Sequence, residues 1–195
     1  MQSIQTVSEN TIYVGASDRR LAKFENLFPI PRGVSYNAYV ILDEKTALLD
    51  TADASVGAQF LENVAAALDG RKLDYLIVDH MEPDHAAMIE AVLVRWPDLR
   101  LVVNAKTLPM LKMYFPTDNA AIDDALVVKE GDTLDLGKHK LTFVMAPMVH
   151  WPEVMMTFDT TTGTLFSADA FGTFGALERS EEHTSELQSR QVISY

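Results

Sequence analysis

Four residues with metal-binding side chains occur within six positions of the segment "VDHMEPDHAAMIE" (78–90), directly after the apolar run "YLIVD". They are His80, Glu82, Asp84 and His85. His80 and Glu82 alternate along the chain, whereas a turn through Pro83 would direct Asp84 and His85 elsewhere. The spacing therefore indicates that this one segment could provide ligands for two metal ions.

Two further candidates follow apolar runs in the same way: His150 comes after "FVMAPMV" and Asp169 after "TLFSA". Sites commonly form where loops leave strand ends, because rigid strands fix the geometry while loops expose the side chains. We therefore expect His150 and Asp169 to converge on the first four residues.

Simpler roles exist for several of these residues taken singly. Asp84 could stabilise the N-terminus of a following helix, since acids are favoured there. His150 alone could be a hydrogen-bonded residue at the core boundary, and Asp169 alone a turn residue at a strand end. Of the remaining histidines, His139 lies in the basic turn "LGKHKL" and is expected at the surface, and His183 lies in an unusual C-terminal segment.

Composition limits the kind of site and of partner. The chain has no cysteine, so a metal site must use nitrogen and oxygen ligands. About equal numbers of imidazole and carboxylate donors favour iron or manganese over a structural zinc, although zinc also accepts this mixture. The net charge of -12, from 16 basic and 28 acidic residues, argues against binding to nucleic acid or to a membrane surface.

No targeting or membrane segment is predicted. The start, "MQSIQTVSEN", lacks the basic and apolar regions of a signal peptide, and no apolar run approaches the roughly 20 residues of a spanning helix. A cytoplasmic location is the expectation.

Short strands and interspersed helices should position these residues. The apolar runs "YNAYVILDE" (36–44) and "KTALLD" (45–50) predict a hairpin, and "DYLIVD" (74–79) predicts a strand covered on both faces. Helices are predicted in "SVGAQFLENVAAALDG" (55–70), with Ser55 as N-cap and Gly70 as the stop, and over 84–96. Further strands and a helix in "AKTLPMLKMYF" complete an open sheet layered with helices.

The last residues differ in character. From Arg179 the segment "RSEEHTSELQSRQVISY" (179–195) loses apolar periodicity, and its beginning is similar to the in-frame translation of a sequencing-library adapter. We expect residues 1–178 to be a partial domain and residues 179–195 to be a non-native tail.

The motif "HMEPDH", followed by His150 and Asp169, resembles that of the metallo-β-lactamase-fold family. A glutamate, Glu82, stands where hydrolases of that fold carry a histidine, and in this the chain is similar to the flavodiiron proteins. The similarity extends through "DRRLAKFENLFPIPRGVSYNAYVILDEKTALLDT", "MVHWPEVMMTFD" and "LFSADAFG", from about residue 10 to 178.

The resemblance implies the N-terminal part of a metallo-β-lactamase-like αββα sandwich, of the α/β class, with a non-haem diiron centre. One iron would be held by His80, Glu82 and His150, the other by Asp84 and His85, and Asp169 would bridge them. The family carries a later histidine that completes the second iron, so that site is expected to be incomplete here. Apolar neighbours, namely Met81, Trp151 and Phe171, are expected to keep the pocket hydrophobic.

The family reduces oxygen to water or nitric oxide to nitrous oxide, as an oxidoreductase that takes electrons from FMN. The resemblance places the FMN in a flavodoxin-like domain beyond this chain, implies a rubredoxin-like or NAD(P)H-linked electron donor and a homodimer when full length, and suggests that the fragment alone is inactive. Two alternatives stay open: a zinc-dependent hydrolase of the same fold, and a non-catalytic diiron oxygen sensor.

Overall fold

Two large β-sheets, two small sheets of two strands each and one layer of helices make up the described structure. The computed structural model describes residues 4–115, 119–176 and 192–194. The strands are β1 (Gln5–Ser8), β2 (Thr11–Tyr13), β3 (Ala16–Asp18), β4 (Lys23–Phe24), β5 (Phe28–Pro29), β6 (Val34–Tyr36), β7 (Tyr39–Leu42), β8 (Thr46–Leu49), β9 (Tyr75–Ile77), β10 (Arg100–Asn104), β11 (Leu126–Val128), β12 (Thr133–Asp135), β13 (Lys140–Met145), β14 (Met155–Asp159), β15 (Thr164–Phe166) and β16 (Val192–Ser194). The helices are α1 (Gly57–Leu68), α2 (Pro83–Ala86), α3 (Ile89–Arg95), α4 (Thr107–Tyr114) and α5 (Ala120–Asp123), and a turn of 3-10 helix at Ala54–Val56 precedes α1.

The first sheet has seven strands in the order β1-β2-β7-β8-β9-β10-β11, and the second has five in the order β12-β13-β14-β15-β16. Strands β8 to β11 run parallel, because helices connect them on one face of the sheet. All strand pairs of the second sheet are antiparallel. The predicted hairpin is confirmed, since β7 and β8 pair antiparallel with Leu42 opposite Thr46.

Two hydrophobic clusters hold these layers together. Residues on the helix side of the first sheet, such as Leu48 and Leu76, pack against Phe60 and Val64 of α1. Residues on its other face pack against the second sheet, where Phe143 is fully buried. The layers therefore follow the order helix, sheet, sheet, and the five α-helices of the described part all precede β11. This arrangement confirms the prediction of a layered α/β sandwich: the described residues provide one helix layer and both sheets of the αββα order.

Strand β9 lies in the interior of the first sheet, between β8 and β10, as its apolar sequence predicts. Leu76 belongs to the cluster beneath the helices and Ile77 to the cluster between the sheets, so the strand is covered on both faces. Strand β9 ends at Ile77, and the motif that begins with His80 follows directly after this end of the strand. A hydrogen bond from the Met155 amide to the Asp79 carbonyl oxygen, 3.0 Å long, ties β14 of the second sheet to the same loop.

Helix boundaries differ from the prediction in two places. Asp53, rather than Ser55, accepts a hydrogen bond at the helix start: its carboxylate receives the Ser55 amide, and α1 itself begins at Gly57. The helix predicted over 84–96 is divided into α2 and α3, with Ala87 and Met88 between them. In both cases a short helical turn intervenes, and hydrophobic periodicity does not report such a turn.

His139 is buried, which contradicts the prediction of a surface position. Only 3% of its surface is exposed, and its Nδ1 lies 2.7 Å from Asp159 Oδ2. The amide of His139 donates to Asp43 Oδ2, and its Nε2 lies 3.2 Å from Asn10 Nδ2. The basic neighbours of His139 suggested a solvated turn, but Asp159 and Asn10, which are distant in the sequence, provide partners for the ring.

The described residues contain no helix that is both long and apolar enough to cross a membrane.

Replacement of Phe60 by alanine should destabilise the fold strongly. The Phe60 ring is fully buried between α1 and the first sheet, so its removal leaves a cavity as well as losing transfer free energy. We expect the free energy of unfolding to fall by about 3–5 kcal/mol, measured by urea denaturation. Met113→Ala, at a side chain that is 78% exposed, is the control and should change it by less than about 0.5 kcal/mol. Equal effects of the two substitutions would contradict this placement of the core.

Candidate metal centre

Four chain segments bring the predicted ligands to one edge of the sandwich. The loop after β9 and the start of α2 carry His80, Glu82, Asp84 and His85. The connection between β13 and β14 carries His150, and the segment after β15 carries Asp169. All six residues predicted from the sequence therefore meet in space, in two groups that share one residue.

The first group consists of His80, Glu82, His150 and Asp169. Glu82 Oε2 lies 3.1 Å from His80 Nε2 and 2.8 Å from His150 Nε2. Asp169 Oδ2 lies 3.2 Å from His150 Nε2 and 3.8 Å from His80 Nε2. The ligand atoms of the group thus surround a single point.

The second group consists of Asp84, His85 and Asp169. His85 Nε2 lies 2.7 Å from Asp169 Oδ1 and 3.7 Å from Asp84 Oδ2. Asp169 therefore turns one oxygen to each group, which is the arrangement that a bridging carboxylate requires. Among the described residues this group has three members, whereas the first has four.

Burial of these residues is uneven. His80 is completely buried, and Glu82 and His85 are nearly so, whereas the His150 side chain is 52% exposed and that of Asp169 is 30% exposed. Buried ionisable side chains require partners or a bound cation, because desolvation of a charge is costly. The Oδ1 atom of Asp84 is buried without a hydrogen-bond partner among the described residues, as expected for a carboxylate whose partner is a cation.

A carboxylate lies against the Nδ1 atom of each of the two buried histidines. The Nδ1 of His80 lies 2.8 Å from Glu153 Oε1, and the Nδ1 of His85 lies 3.0 Å from Asp50 Oδ2. Each contact leaves Nε2 directed toward the group of donor atoms, as in the carboxylate–histidine–metal arrangement of many metalloproteins. Neither Asp50 nor Glu153 was predicted from the sequence. Asp50 had a usable signal, because it follows an apolar strand as His80 does.

The pKa values of the two buried histidines are raised in the metal-free protein. Burial alone lowers the pKa of His80, but hydrogen bonds with Glu153 and Glu82 outweigh it and raise this pKa to about 9. Burial likewise opposes protonation of His85, yet the Asp84 charge and hydrogen bonds with Asp169 and Asp50 raise its pKa well above the usual range. A bound cation would replace these protons.

The pKa values of two carboxyl groups, those of Asp84 and Asp169, shift in opposite directions. Burial is the main cause that raises the pKa of Asp84 to about 6. Burial also acts to raise the pKa of Asp169, but its hydrogen bond with His85 and the charges of His85 and His80 bring it well below its usual range. Asp169 is therefore anionic at neutral pH and available to a cation.

These shifts predict how the stability of the metal-free protein depends on pH. The pKa of His80 is about 9 when folded and about 6.5 when unfolded, so the folded state binds more protons between these values and its stability falls as pH rises through them. Thermal unfolding of chelator-treated protein at pH 6.5, 7.5 and 8.5 should show a decreasing midpoint. Metal-loaded protein should not show this decrease, because the metal replaces the protons. A midpoint that rises with pH in the metal-free protein would contradict the protonation of these histidines.

A cavity of about 440 Å³ opens next to the donor atoms. Four of the six candidate ligands line it, namely Glu82, Asp84, His150 and Asp169. Its other walls include Trp151 and the aromatic residues Phe24, Phe28 and Phe174. Phe174 packs between the other two phenylalanines, with ring centroids 5.1 Å from Phe24 and 6.2 Å from Phe28.

Of the three apolar neighbours predicted for this pocket, only Trp151 is among its lining residues. Met81 is fully buried in the core beneath the helices, and Phe171 is 65% exposed to solvent. The prediction was therefore wrong for Met81 and Phe171. Phe171 has a left-handed backbone conformation, with φ of 66°, and the chain turns there so that Phe174, three residues later, reaches the cavity.

A family model and several known proteins are similar to this chain. The family model described as "ODP family beta lactamase" matches residues 34–193. The anaerobic nitric oxide reductase flavorubredoxin of Klebsiella pneumoniae is 38% identical over 170 residues, which cover 85% of this chain and 34% of that protein. The chain thus spans about a third of the length of this curated relative.

Solved structures of similar fold include two proteins of related description. The rubredoxin oxygen:oxidoreductase of Desulfovibrio gigas has a TM-score of 0.85 and 31% identity, over 90% of this chain and 43% of that one. The flavodiiron protein of Giardia intestinalis has a TM-score of 0.83 and 27% identity, over 92% of this chain and 43% of that one.

Proposed function

The chain belongs to the ODP family of β-lactamase-fold domains, and on this premise we propose that it is the diiron domain of a flavodiiron reductase of nitric oxide, dioxygen or both. Its relatives are flavodiiron proteins, among them a nitric oxide reductase and an oxygen oxidoreductase by name. These names support an oxidoreductase over the zinc-dependent hydrolase considered from the sequence.

The observation that carries the proposal is the pair of donor groups joined by Asp169. Its Oδ1 lies 2.7 Å from His85, whereas its Oδ2 lies 3.2 Å from His150, so the two oxygens serve different groups. A hydrolase of one metal ion has no need for such a shared carboxylate. Two adjacent metal ions do, because a bridge keeps them paired when their charges change.

The donor set fits iron. We propose that His80, Glu82 and His150 hold one ion, that Asp84 and His85 hold the other, and that Asp169 bridges them. Carboxylate oxygens stabilise the more highly charged, oxidised state of iron, and imidazole accepts both states. The buried, unpartnered Oδ1 of Asp84 supports its assignment as a ligand of the second ion. A further ligand from elsewhere in the whole protein would complete this second site.

When bound, the two iron ions would pass on electrons received from the flavin and offer adjacent coordination positions for small diatomic molecules. The chain itself provides the surroundings for this reaction. His150 lines the cavity together with the aromatic rings of Trp151, Phe24 and Phe28. Glu82 and Asp169 add negative charge directly at the donor groups.

The electrons for the reaction would come from a part of the whole protein that lies outside this chain. The matched relative is about three times as long as the matched segment, and we propose that FMN is bound in a flavodoxin-like region of the longer polypeptide. A rubredoxin-like or NAD(P)H-linked protein would reduce that flavin. A homodimer would bring the flavin of one subunit close to the metal ions of the other.

The test compares iron-loaded and zinc-loaded forms of the whole protein. With a chemical reductant present, the iron form should consume nitric oxide or oxygen through many turnovers, measured with gas electrodes and by detection of nitrous oxide. The zinc form should consume neither gas. A zinc form that hydrolyses a β-lactam or thioester while the iron form is inactive would establish the hydrolase instead. Stoichiometric binding of the gas without turnover would establish a sensor.

A further inference from the structure

Glu153 is a buried carboxylate that touches the metal centre through His80. It is only 1% exposed, and its Oε1 lies 2.8 Å from His80 Nδ1. The same oxygen accepts a hydrogen bond of 2.9 Å from the Met81 amide. Glu153 thus fixes both the imidazole and the backbone beside it, across 73 residues of sequence.

The surroundings of Glu153 are themselves fixed by β10. The side-chain amide of Asn104, at the end of that strand, donates to the carbonyl oxygen of Glu153. The Oδ1 of Asn104 accepts hydrogen bonds from the amides of Lys106 and Thr107 at the start of α4. The Nζ of Lys106 in turn donates to the carbonyl oxygen of Pro152, 3.0 Å away. The segment that carries Glu153 is therefore held by the first sheet, independently of His150.

We propose that Glu153 is a positioning residue of the metal centre, which keeps His80 in the tautomer with a proton on Nδ1 and directs its Nε2 to the metal. This inference rests on the proposed function, because it requires a metal ion at the first donor group. Glu153 makes no contact with the cavity, since it lies on the far side of the imidazole from Glu82.

An anionic acceptor behind a histidine ligand also changes its electronic character. Hydrogen bonding from Nδ1–H to a carboxylate increases the electron density on the ring, so Nε2 becomes a stronger donor to the cation. A stronger donor favours the oxidised state of a redox-active metal. Loss of the Glu153 charge should therefore weaken metal binding at this group and raise the midpoint potential of the centre.

A matched control exists at the opposite end of β14, which Glu153 precedes and Asp159 ends. Asp159 is also fully buried, and its Oδ2 lies 2.7 Å from Nδ1 of His139. This pair has the same chemistry as Glu153 and His80, but it belongs to neither donor group. Glu153→Gln and Asp159→Asn therefore remove the same charge from the same kind of contact, at the metal centre and away from it.

The experiment titrates the metal-free full chain with cobalt(II), whose visible absorption bands report ligand geometry without any turnover. Glu153→Gln should lower cobalt affinity by about 10- to 100-fold, the usual cost of losing a supporting partner of a ligand, and should shift the absorption bands. Asp159→Asn should lower the thermal unfolding midpoint and leave affinity and bands as in the unsubstituted chain. Glu153→Asp, which keeps the charge on a shorter side chain, should lose less affinity than Glu153→Gln.

The outcomes separate the inference from the function on which it rests. If Glu153→Gln and Asp159→Asn both change only thermal stability, Glu153 is a structural residue and the inference is overturned. If Glu153→Gln does not fold, Glu153→Asp decides, because its shorter side chain keeps the charge but withdraws the carboxylate from His80 Nδ1. A moderate loss of cobalt affinity with shifted bands in that variant supports the positioning role, and affinity and bands identical to those of the unsubstituted chain overturn it. If the unsubstituted chain binds no cobalt, both the metal centre and the inference are overturned.

Discussion

In the whole protein, Asp169→Ala should abolish the proposed gas reduction and disrupt both metal positions at once. Asp169 is the one residue shared by the two donor groups, and each of its oxygens faces a different group. Its removal leaves the second group with Asp84 and His85 alone among the described residues. We expect metal affinity at this group to fall by more than the roughly 100-fold that loss of a supporting partner can cost, with activity at background.

The loss in Asp169→Ala should be specific to the site. Metal content by elemental analysis and gas consumption are the readouts, and Asp98→Ala, at an exposed aspartate away from both groups, is the control. Cooperative thermal unfolding of both metal-free variants is the expected sign that each is folded. Two tightly bound metal ions in Asp169→Ala would contradict the bridging assignment.

Glu82→His should convert the first group into three histidines with Asp169 and change its metal preference. Glu82 Oε2 lies between His80 Nε2 and His150 Nε2, at 3.1 and 2.8 Å. Replacement of this carboxylate by imidazole removes one negative charge from the group and with it the stabilisation of oxidised iron. We expect bound zinc to increase relative to iron, and reduction of nitric oxide or oxygen to fall by at least about tenfold.

The matched control for this substitution is Glu90→His, which introduces the same side chain at an exposed position in the first turn of α3. It should leave metal content and gas reduction unchanged. Competition between equal concentrations of iron(II) and zinc(II) under anaerobic conditions measures the preference. An unchanged iron-to-zinc ratio together with full activity in Glu82→His would show that the carboxylate has no part in metal selection.

Much of the candidate site could be predicted from the sequence because four of its six candidate ligands lie close together in the chain. His80, Glu82, Asp84 and His85 lie within one short loop, and a buried strand before them fixes the direction of that loop. Grouping with Asp169, which lies 84 residues beyond His85, required the resemblance to a known family as well as the strand-end pattern. The geometry brings these residues together, and their roles as ligands remain a prediction for the metal measurements.

Contacts between distant segments explain what the sequence analysis missed. Glu153 supports His80 across the two sheets, and Asp159 holds His139 in the interior, yet neither pairing leaves a local pattern. Phe171 was expected in the pocket because it lies two residues after Asp169. Its left-handed backbone turns the chain there, and Phe174 lines the cavity instead. Backbone turns and long-range pairs of this kind depend on tertiary structure.

The predicted non-native tail over 179–195 lies mostly outside the described residues. Its described part is β16, which pairs with β15 so that Ile193 lies opposite Leu165. The family match also extends to residue 193. Whether 179–195 is foreign to the natural protein stays a prediction, which the coding sequence across Glu178 would test.

The most direct test of the account is the metal content of the whole protein after anaerobic loading with iron(II) and removal of unbound metal. Mössbauer spectroscopy of the oxidised protein, combined with elemental analysis, gives both the number of iron ions and their magnetic coupling. Two iron ions per chain, coupled to each other, are the predicted result. A single iron ion, two uncoupled ions, or one tightly bound zinc that iron does not replace would contradict a carboxylate-bridged diiron centre at Asp169.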